Sequence, residues 1–368
     1  CYLSDYIMKI VCFHVLNDYS GSPKVLEMVL SGLLSKGYSV DLVTSKGNGA
    51  LNNLQGKKNM TFYQYYYRFS RNMLWNALQF LYVQCYIFFF SFRYLFQKDI
   101  VFYLNTIMPV GAAVAAKLSG KKIVYHYHEN ASAKSRFYVF LAWFMQKLAD
   151  EIICVSDYQR QFLRRKNAVT TIPNSLPPSF EDECVKFRGK GKKEKRILML
   201  SSLKLYKGTL EFICLAVALP LFRFELVIND SWSAINLFLK EYGIEVPSNL
   251  TIWDRQKNVL PFYERASLVL NLSNKELFIE TFGMTVLEAM TAGLPVIVPT
   301  VGGVADLVDD GVNGYKIDVQ QLEDIKMRII SILTDDEIYA SLSRNAIALS
   351  KKYSNANTID SIEKTIIG

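Results

Sequence analysis

Residues 280–295 read ETFGMTVLEAMTAGLP. The stretch predicts a helix from about Phe282 to Ala292, closed by a left-handed Gly293, with Pro295 opening the next strand. Glu280 then lies in the loop before the helix and Glu288 in its second turn. Helical side chains lean toward the N-terminus, so Glu288 points back to the helix start. The backbone N–H groups of Phe282, Gly283 and Met284 have no intrahelical acceptor, and such groups suit a phosphate. Two carboxylates beside an anion site suit hydroxyl recognition, a ribose for one and a sugar for the other. The bland alternative is one capping glutamate and one facing solvent.

Working outward, this junction is one of many. Lys9–Leu16 is a short apolar run, a buried strand, followed by the loop NDYSG. Ser22-Pro23 reads as the start of a helix, Ser22 as N-cap, and Gly37 as its end before a strand at Ser39–Thr44. Strands are expected again at Ile100–Leu104, Lys122–His126, Glu151–Val155 and Val169–Ile172, with helices between, one of them Asp157–Arg164. Residues 176–195, Pro-containing and then Lys/Gly-rich, read as a linker. Alternation restarts at Arg196–Leu200 and continues through Phe224–Asn229, Leu250–Trp253, Leu268–Leu272 and Pro295–Val298. This predicts an α/β chain of two doubly wound Rossmann-like domains, 1–175 and 196–352, with a C-terminal helix, 353–368, crossing back to the first. Ligands are expected outside the carboxyl ends of the strands, in the cleft between the halves.

The chain has 368 residues, 51% hydrophobic and 21% charged, with a net charge of +8. That excludes a disordered chain or a polytopic membrane protein. The charge is uneven: residues 1–180 carry 20 Lys and Arg against 9 acidic residues, and residues 181–368 carry 22 against 25. The basic half suits an anionic surface. Nucleic acid is not expected as a partner, because no RNP, OB or helix-turn-helix pattern is present. The six cysteines are scattered without metal-binding spacing, which implies reduced thiols and a cytoplasmic setting. Cys12, Cys154 and Cys214 read as buried. Met8 reads as the biological start.

From Asn72 to Phe92 there is no charge. Asn72, Asn76, Gln79, Gln84 and Ser91 share one helical arc, and the rest is Leu, Phe, Tyr, Ile and Trp75. A helix packed on its domain or lying in a membrane interface is expected, not a spanning one, since spanning would split a single sheet across a bilayer. Arg68, Arg71, Arg93 and Lys98 flank it, with Lys57 and Lys58 near in sequence, so an anionic membrane surface is an expected partner.

The stretch ETFGMTVLEAMTAGLPVIVPTVGGVADLVDDGVNGY, 280–315, resembles the signature of retaining glycosyltransferases of family 4, which have the GT-B fold. The resemblance implies that Glu280 and Glu288 are the family's paired glutamates. It implies that Lys207, in LSSLKLYKG, contacts the donor diphosphate. Ser202 stands where the family often has an arginine, with Lys204 a substitute charge. His128, in VYHYHE, matches the cleft histidine near the donor sugar, and Gly21 the glycine turn that approaches the diphosphate, at positive φ. A metal site from His14, His126 and His128 is the weaker alternative, for want of a carboxylate partner at ligand spacing.

Together these imply a hexosyltransferase with Glu280 and His128 catalytic. Glu288, Lys207, Ser202, Gly21, Phe282, Gly283 and Met284 would hold the donor. The resemblance implies a UDP- or GDP-sugar co-substrate and no cofactor or metal, while the charge split and the 72–92 segment point to a glycan or lipid-linked acceptor of the cell envelope. The place expected is the inner face of the cytoplasmic membrane. With no D-x-D motif, and Glu181-Asp182-Glu183 read as a solvated run, Lys207 and the helix start must offset the leaving diphosphate. The alternatives are a nucleotide-sugar epimerase of the same fold and a non-catalytic sugar-binding paralogue, the latter motivated by Ser202.

Overall fold

The computed structural model describes residues 8–68, 70, 72–131, 135–164, 168–188 and 195–368. Arg71, residues 1–7 and most of the Lys/Gly-rich run lie outside the described residues. The chain divides into two compact units, one running to Asn174 and including Ala356–Gly368, the other Ser175–Asn355.

The first unit runs β1 (Lys9–His14), α1 (Gly21–Ser35), β2 (Ser39–Ser45), β3 (Met60–Tyr65), α2 (Met73–Ser91), β4 (Ile100–Asn105), α3 (Val110–Leu118) and β5 (Lys122–Tyr127). It continues with α4 (Arg136–Leu148), β6 (Glu151–Cys154), α5 (Asp157–Arg160) and β7 (Val169–Thr171). The strands form a parallel sheet in the order β3-β2-β1-β4-β5-β6-β7. Both faces are covered, so β1 and β4 are almost wholly apolar and buried rather than alternating.

The second unit holds α6 (Pro178–Phe187), β8 (Arg196–Ser201), α7 (Thr209–Ala218), β9 (Arg223–Ile228), α8 (Trp232–Glu241), β10 (Leu250–Trp253) and α9 (Leu260–Arg265). There follow β11 (Leu268–Leu270), α10 (Met284–Thr291), β12 (Val296–Val298), β13 (Gly314–Lys316), α11 (Leu322–Thr334) and α12 (Asp336–Ser350). Its parallel sheet runs β10-β9-β8-β11-β12-β13. Along β8, Ile197 and Met199 face a core with Phe212 and Ile325, while Leu198 faces another with Tyr263 and Leu287. In each sheet the winding reverses once, between β1 and β4 and between β8 and β11. That reversal opens a crevice at the carboxyl ends of the two strands.

The last helix, α13 (Asn355–Ile367), packs in the first unit. Ile359 fills the space that a side chain at Gly32 would need, its Cγ1 lying 2.6 Å from that Cβ position. Lys36 pairs with Asp360 and Glu363, and Lys122 Nζ donates to the carbonyls of Thr365 and Ile366 at 3.0 and 2.9 Å, capping the helix end.

Several expectations need correction. Residues 176–195 are not a bare linker: α6 buries Cys184 and Phe187 in the second unit beside Leu176, because Phe180, Cys184 and Phe187 make one apolar stripe opposite Glu181, Asp182 and Glu183. The short strands β3 and β13 were not anticipated. The first helix is capped at Ser20 rather than Ser22, with Pro23 in its first turn. Gly21 opens that helix and is not among the glycines at positive φ. The helix read over Asp157–Arg164 stops at Arg160. Cys214 is exposed.

Candidate functional site

The loops that leave β8 and β11 meet over the crevice of the second sheet. The β8 loop makes one tight turn, Leu205–Lys207, and reaches Gly208, whose φ of 75° lies in the left-handed region. A Cβ at Gly208 would stand 2.3 Å from the carbonyl oxygen of Leu272, so the two loops touch backbone to backbone there. Lys207 is thereby delivered to the β11 loop. Its Nζ pairs with Glu280 Oε1 and sits 5.0 Å over the Phe278 ring, which stacks on Tyr206.

Glu280 is gripped from every side. Ser273 Oγ donates to Oε1 at 2.7 Å and Asn271 Nδ2 to Oε2 at 3.2 Å. The N–H of Gly303 donates to the Glu280 carbonyl at 2.7 Å. Gly302, at φ 102°, has no room for a side chain, since a Cβ would lie 2.8 Å from that same carbonyl. The Gly-Gly pair therefore clamps the loop that carries the carboxylate. The Glu280 side chain is only 11% exposed. Burial pushes its carboxyl up, but the Lys207 ammonium and the hydrogen bonds from Lys207, Ser273 and Asn271 outweigh it and hold the group below the ordinary carboxylate range.

Helix α10 starts two residues later than expected, at Met284, with Gly283 as N-cap and no side chain bonded to the cap. Gly283 is wedged against Val304, whose Cγ2 is 2.6 Å from where a Cβ would be. The open first-turn donors are those of Met284 and Thr285 with Gly283 before them. Phe282 instead places its ring 6.2 Å from that of Tyr353. Glu288 does lean back along the helix, into the hydroxyl of buried Tyr263, which donates to Oε2 at 2.5 Å. Ser202 meets its neighbours through its carbonyl, which accepts from the Lys204 N–H at 2.7 Å. Lys204 is exposed.

Tyr263→Phe should test the hold on Glu288. The ring keeps its volume, but the carboxylate loses the hydrogen bond from the hydroxyl. Stability should fall by about 1 kcal/mol, read as a lower melting temperature. A parental melting temperature would show that the hydroxyl does not hold the carboxylate in place.

In the first unit the chain's three histidines gather at the other reversal point. His14 ends β1, Asn105 ends β4, and His126 and His128 come from β5 and the residues after it. The Asn105 side chain joins two of them: its Nδ2 donates to His14 Nδ1 at 3.0 Å, and His128 Nε2 donates to its Oδ1 at 2.9 Å. One amide thus sets both tautomers. His126 lies 4.1 Å from His128, ring centre to ring centre, and bonds the Tyr103 hydroxyl through Nδ1 at 2.6 Å. Burial lowers His14 to about 4 and His126 to about 3, and holds His128 well below the ordinary value, helped by the two neighbouring histidines. All three are neutral at pH 7. Gly21 faces open space, with nothing within 4 Å of its Cβ position. Among the described residues no three His, Cys, Asp or Glu side chains converge as a metal site.

The sequence reading did not reach Asn271, Ser273, Tyr263 or Asn105. It also missed a cavity of about 400 Å³ in the first unit, lined among others by Asn17, Lys46, Tyr66, Tyr67, Arg68 and Gln79. The alternation in MTFYQY, which marks β3 and so the loop after it, was the available signal.

Comparison with known proteins adds to this. A family model described as glycosyl transferases group 1 matches residues 181–349, and one described as glycosyltransferase family 4 matches residues 19–180. A sucrose synthase of Melioribacter roseus is 44% identical over 80 residues, 20% of this chain and 10% of that protein. The poly(glycerol-phosphate) alpha-glucosyltransferase of Bacillus subtilis is 30% identical over 134 residues, 36% of this chain and 17% of that protein. The matches thus take in less than a fifth of these relatives' own lengths. Among solved structures, HepE of Anabaena in complex with UDP and glucose aligns with a TM-score of 0.77 at 18% identity, covering 98% of this chain and 100% of that one. That likeness shows the fold.

Proposed function

Because the chain belongs to the group 1 glycosyltransferases, we propose that it moves a hexose-type sugar from a nucleotide-sugar to a glycan or lipid-linked acceptor of the cell envelope, retaining the anomeric configuration and needing no metal. The observation that carries the reading is the Lys207–Glu280 pair, set by the two loops that leave the strands flanking the reversal in the second sheet. The UDP and glucose bound to HepE and the alpha-glucosyl transfer in the name of the Bacillus relative support a UDP-hexose as donor.

In this proposal the donor diphosphate takes the place at the start of α10. Lys207 exchanges its carboxylate partner for phosphate oxygens, and the open N–H groups of α10 add partial positive charge. Both lie where negative charge grows as the glycosidic bond breaks, so they favour the transition state over the bound donor. Released from Lys207, the Glu280 carboxylate accepts from hydroxyls of the sugar and offsets the oxocarbenium-like charge. Glu288, steered by Tyr263, takes the ribose hydroxyls. Attack from the face of departure gives retention.

The acceptor is assigned to the cavity of the first unit. Lys46 and Arg68 there suit a phosphate-bearing acceptor, and the tyrosines suit a sugar face. Thermal shift against a panel of nucleotide-sugars, followed by hydrolysis of each one that binds, tests the donor. Stabilisation by a UDP- or GDP-hexose is expected. Acceptor-independent epimerisation of that sugar, or no stabilisation by any of the panel, would overturn the reading. Replacing both Lys46 and Arg68 by alanine should raise the acceptor KM about ten-fold or more while donor hydrolysis stays unchanged. A change in donor hydrolysis alone would move the acceptor elsewhere.

A further inference from the structure

Helix α2 is built inside out. Its longer polar side chains face the protein, beside Val83 and Ile87, and most of its other apolar ones face outward. Asn76 brackets Ser70, its Oδ1 accepting from the Ser70 N–H at 2.8 Å and its Nδ2 donating to the Ser70 carbonyl at 2.5 Å. Gln79 brackets Arg68 in the same way at 2.9 and 2.8 Å. Gln84 Oε1 accepts from the Gly111 N–H at 2.9 Å, and a Cβ at Gly111 would come within 2.1 Å of the Gln84 carbonyl. The backbones of α2 and α3 are in contact there, and Val83 and Ile87 are buried in the core.

The opposite arc, about 160° wide at 100° per residue, carries no polar group stronger than a tyrosine hydroxyl or a thiol. Leu74, Trp75, Leu78, Leu81, Tyr82 and Phe89 on it are each between 48% and 77% exposed. Phe80 meets Phe137 of α4 edge to face with ring centres 5.9 Å apart, and α4 adds exposed Phe137, Phe140 and Trp143. Two adjoining helices thus leave a broad aromatic and aliphatic surface uncovered, far from the scattered single exposures of an ordinary surface.

We infer that this face of α2 and α4 lies in the interface of an anionic lipid bilayer. Charge chooses this occupant over a second copy of the chain. Residues 42–149 hold thirteen lysines and arginines and only two acidic residues, Asp99 and Glu129. Arg68 precedes α2 and Arg93 follows it, while Arg136 and Lys147 stand in the first and last turns of α4, all exposed. Pairing two such faces would bring like charges together, whereas an anionic surface is drawn to each of them. Met73–Tyr94 is long and apolar enough to cross a bilayer. The inner face of α2 is nevertheless tied by the bonds above to α3 and to the segment after β3, and Val83 and Ile87 are buried in the core, so the helix lies along the membrane. Tryptophan and tyrosine belong at that depth, and the flanking basic side chains reach the headgroups. Neither the donor nor the acceptor enters this argument.

Flotation of the full chain with vesicles tests it. Binding to phosphatidylcholine vesicles containing 30 mol% phosphatidylglycerol should exceed binding to phosphatidylcholine alone by ten-fold or more at low salt. The double variant Leu78→Asp, Leu81→Asp should lose at least ten-fold of that binding while keeping its melting temperature and its donor hydrolysis. Alkylation of exposed Cys85, on the open arc, should be blocked by the anionic vesicles, while that of exposed Cys214, in the second unit, should not. Absence of binding at low salt, a double variant that binds as well as the parent, or a dimer in solution that the double variant dissolves would each overturn the inference. Donor hydrolysis measured on the same preparations separates these failures from failure of the transferase reading.

Discussion

Glu280→Gln should lower kcat by about a hundred-fold or more, with donor KM changing far less. The amide keeps the shape of the carboxylate but not its charge. Asn271, Ser273 and the clamp of Gly302 and Gly303 still hold the backbone and the side chain in place, so the loss reports charge rather than collapse. The pH dependence gives a second reading of the same group. In the proposed role Glu280 acts ionised, and in the free enzyme the Lys207 ammonium holds its carboxyl below the ordinary range, so the acid limb of kcat/KM should lie below that range too. In Lys207→Met the upward push of burial is opposed only by the hydrogen bonds from Ser273 and Asn271. The carboxyl rises, and the acid limb of the residual activity should move to higher pH. Single-turnover hydrolysis across a pH series checks both. A glutamine variant altered only in donor KM would remove Glu280 from turnover and leave it a binding group.

The sequence reached the skeleton of this site but not its fastenings. Glu280, Glu288 and Gly283 were legible because a loop–helix junction with its glycines leaves a local pattern, whereas Lys207 was named only through the resemblance of LSSLKLYKG. Asn271, Ser273 and Tyr263 were not, since their roles depend on which loop the fold sets beside them, and no periodicity records that. Asn105 is an extreme case: it links residues 91 and 23 positions away. The strands buried on both faces stood out as apolar runs, whereas β13 has three residues and is flanked by loop-like sequence. In α6 the stripe of Phe180, Cys184 and Phe187 was outweighed by the prolines before it and the lysines after it. Helix α2 was read correctly as two-faced. Its orientation is the reverse of the usual rule because Asn76, Gln79 and Gln84 satisfy backbone groups of Ser70, Arg68 and Gly111 that have no partner in secondary structure.

Gly208→Ala should be the most damaging single-methyl change in the second unit. Two costs fall on the same atom. At φ 75° an alanine pays about 1–2 kcal/mol for the left-handed conformation. Its Cβ would also stand 2.3 Å from the Leu272 carbonyl oxygen and 2.4 Å from the Leu272 Cβ. Neither neighbour is the free end of a flexible side chain, so the β8 and β11 loops must separate, adding about 1–3 kcal/mol. The melting temperature of the second unit should fall by roughly 5–15 °C. Function should suffer beyond stability, because Lys207 precedes Gly208 and Ser273 follows Leu272. Moving the loops apart parts the two groups that share Glu280 Oε1. Below the melting transition, donor affinity and kcat should therefore both drop by about ten-fold or more. Gly21→Ala is the control, since Gly21 has open space around it and an ordinary φ. That variant should melt as the parent does. Gly208→Ala with parental melting and parental kinetics would show that the loops can part without releasing Glu280, and the backbone contact would then have no part in building the site.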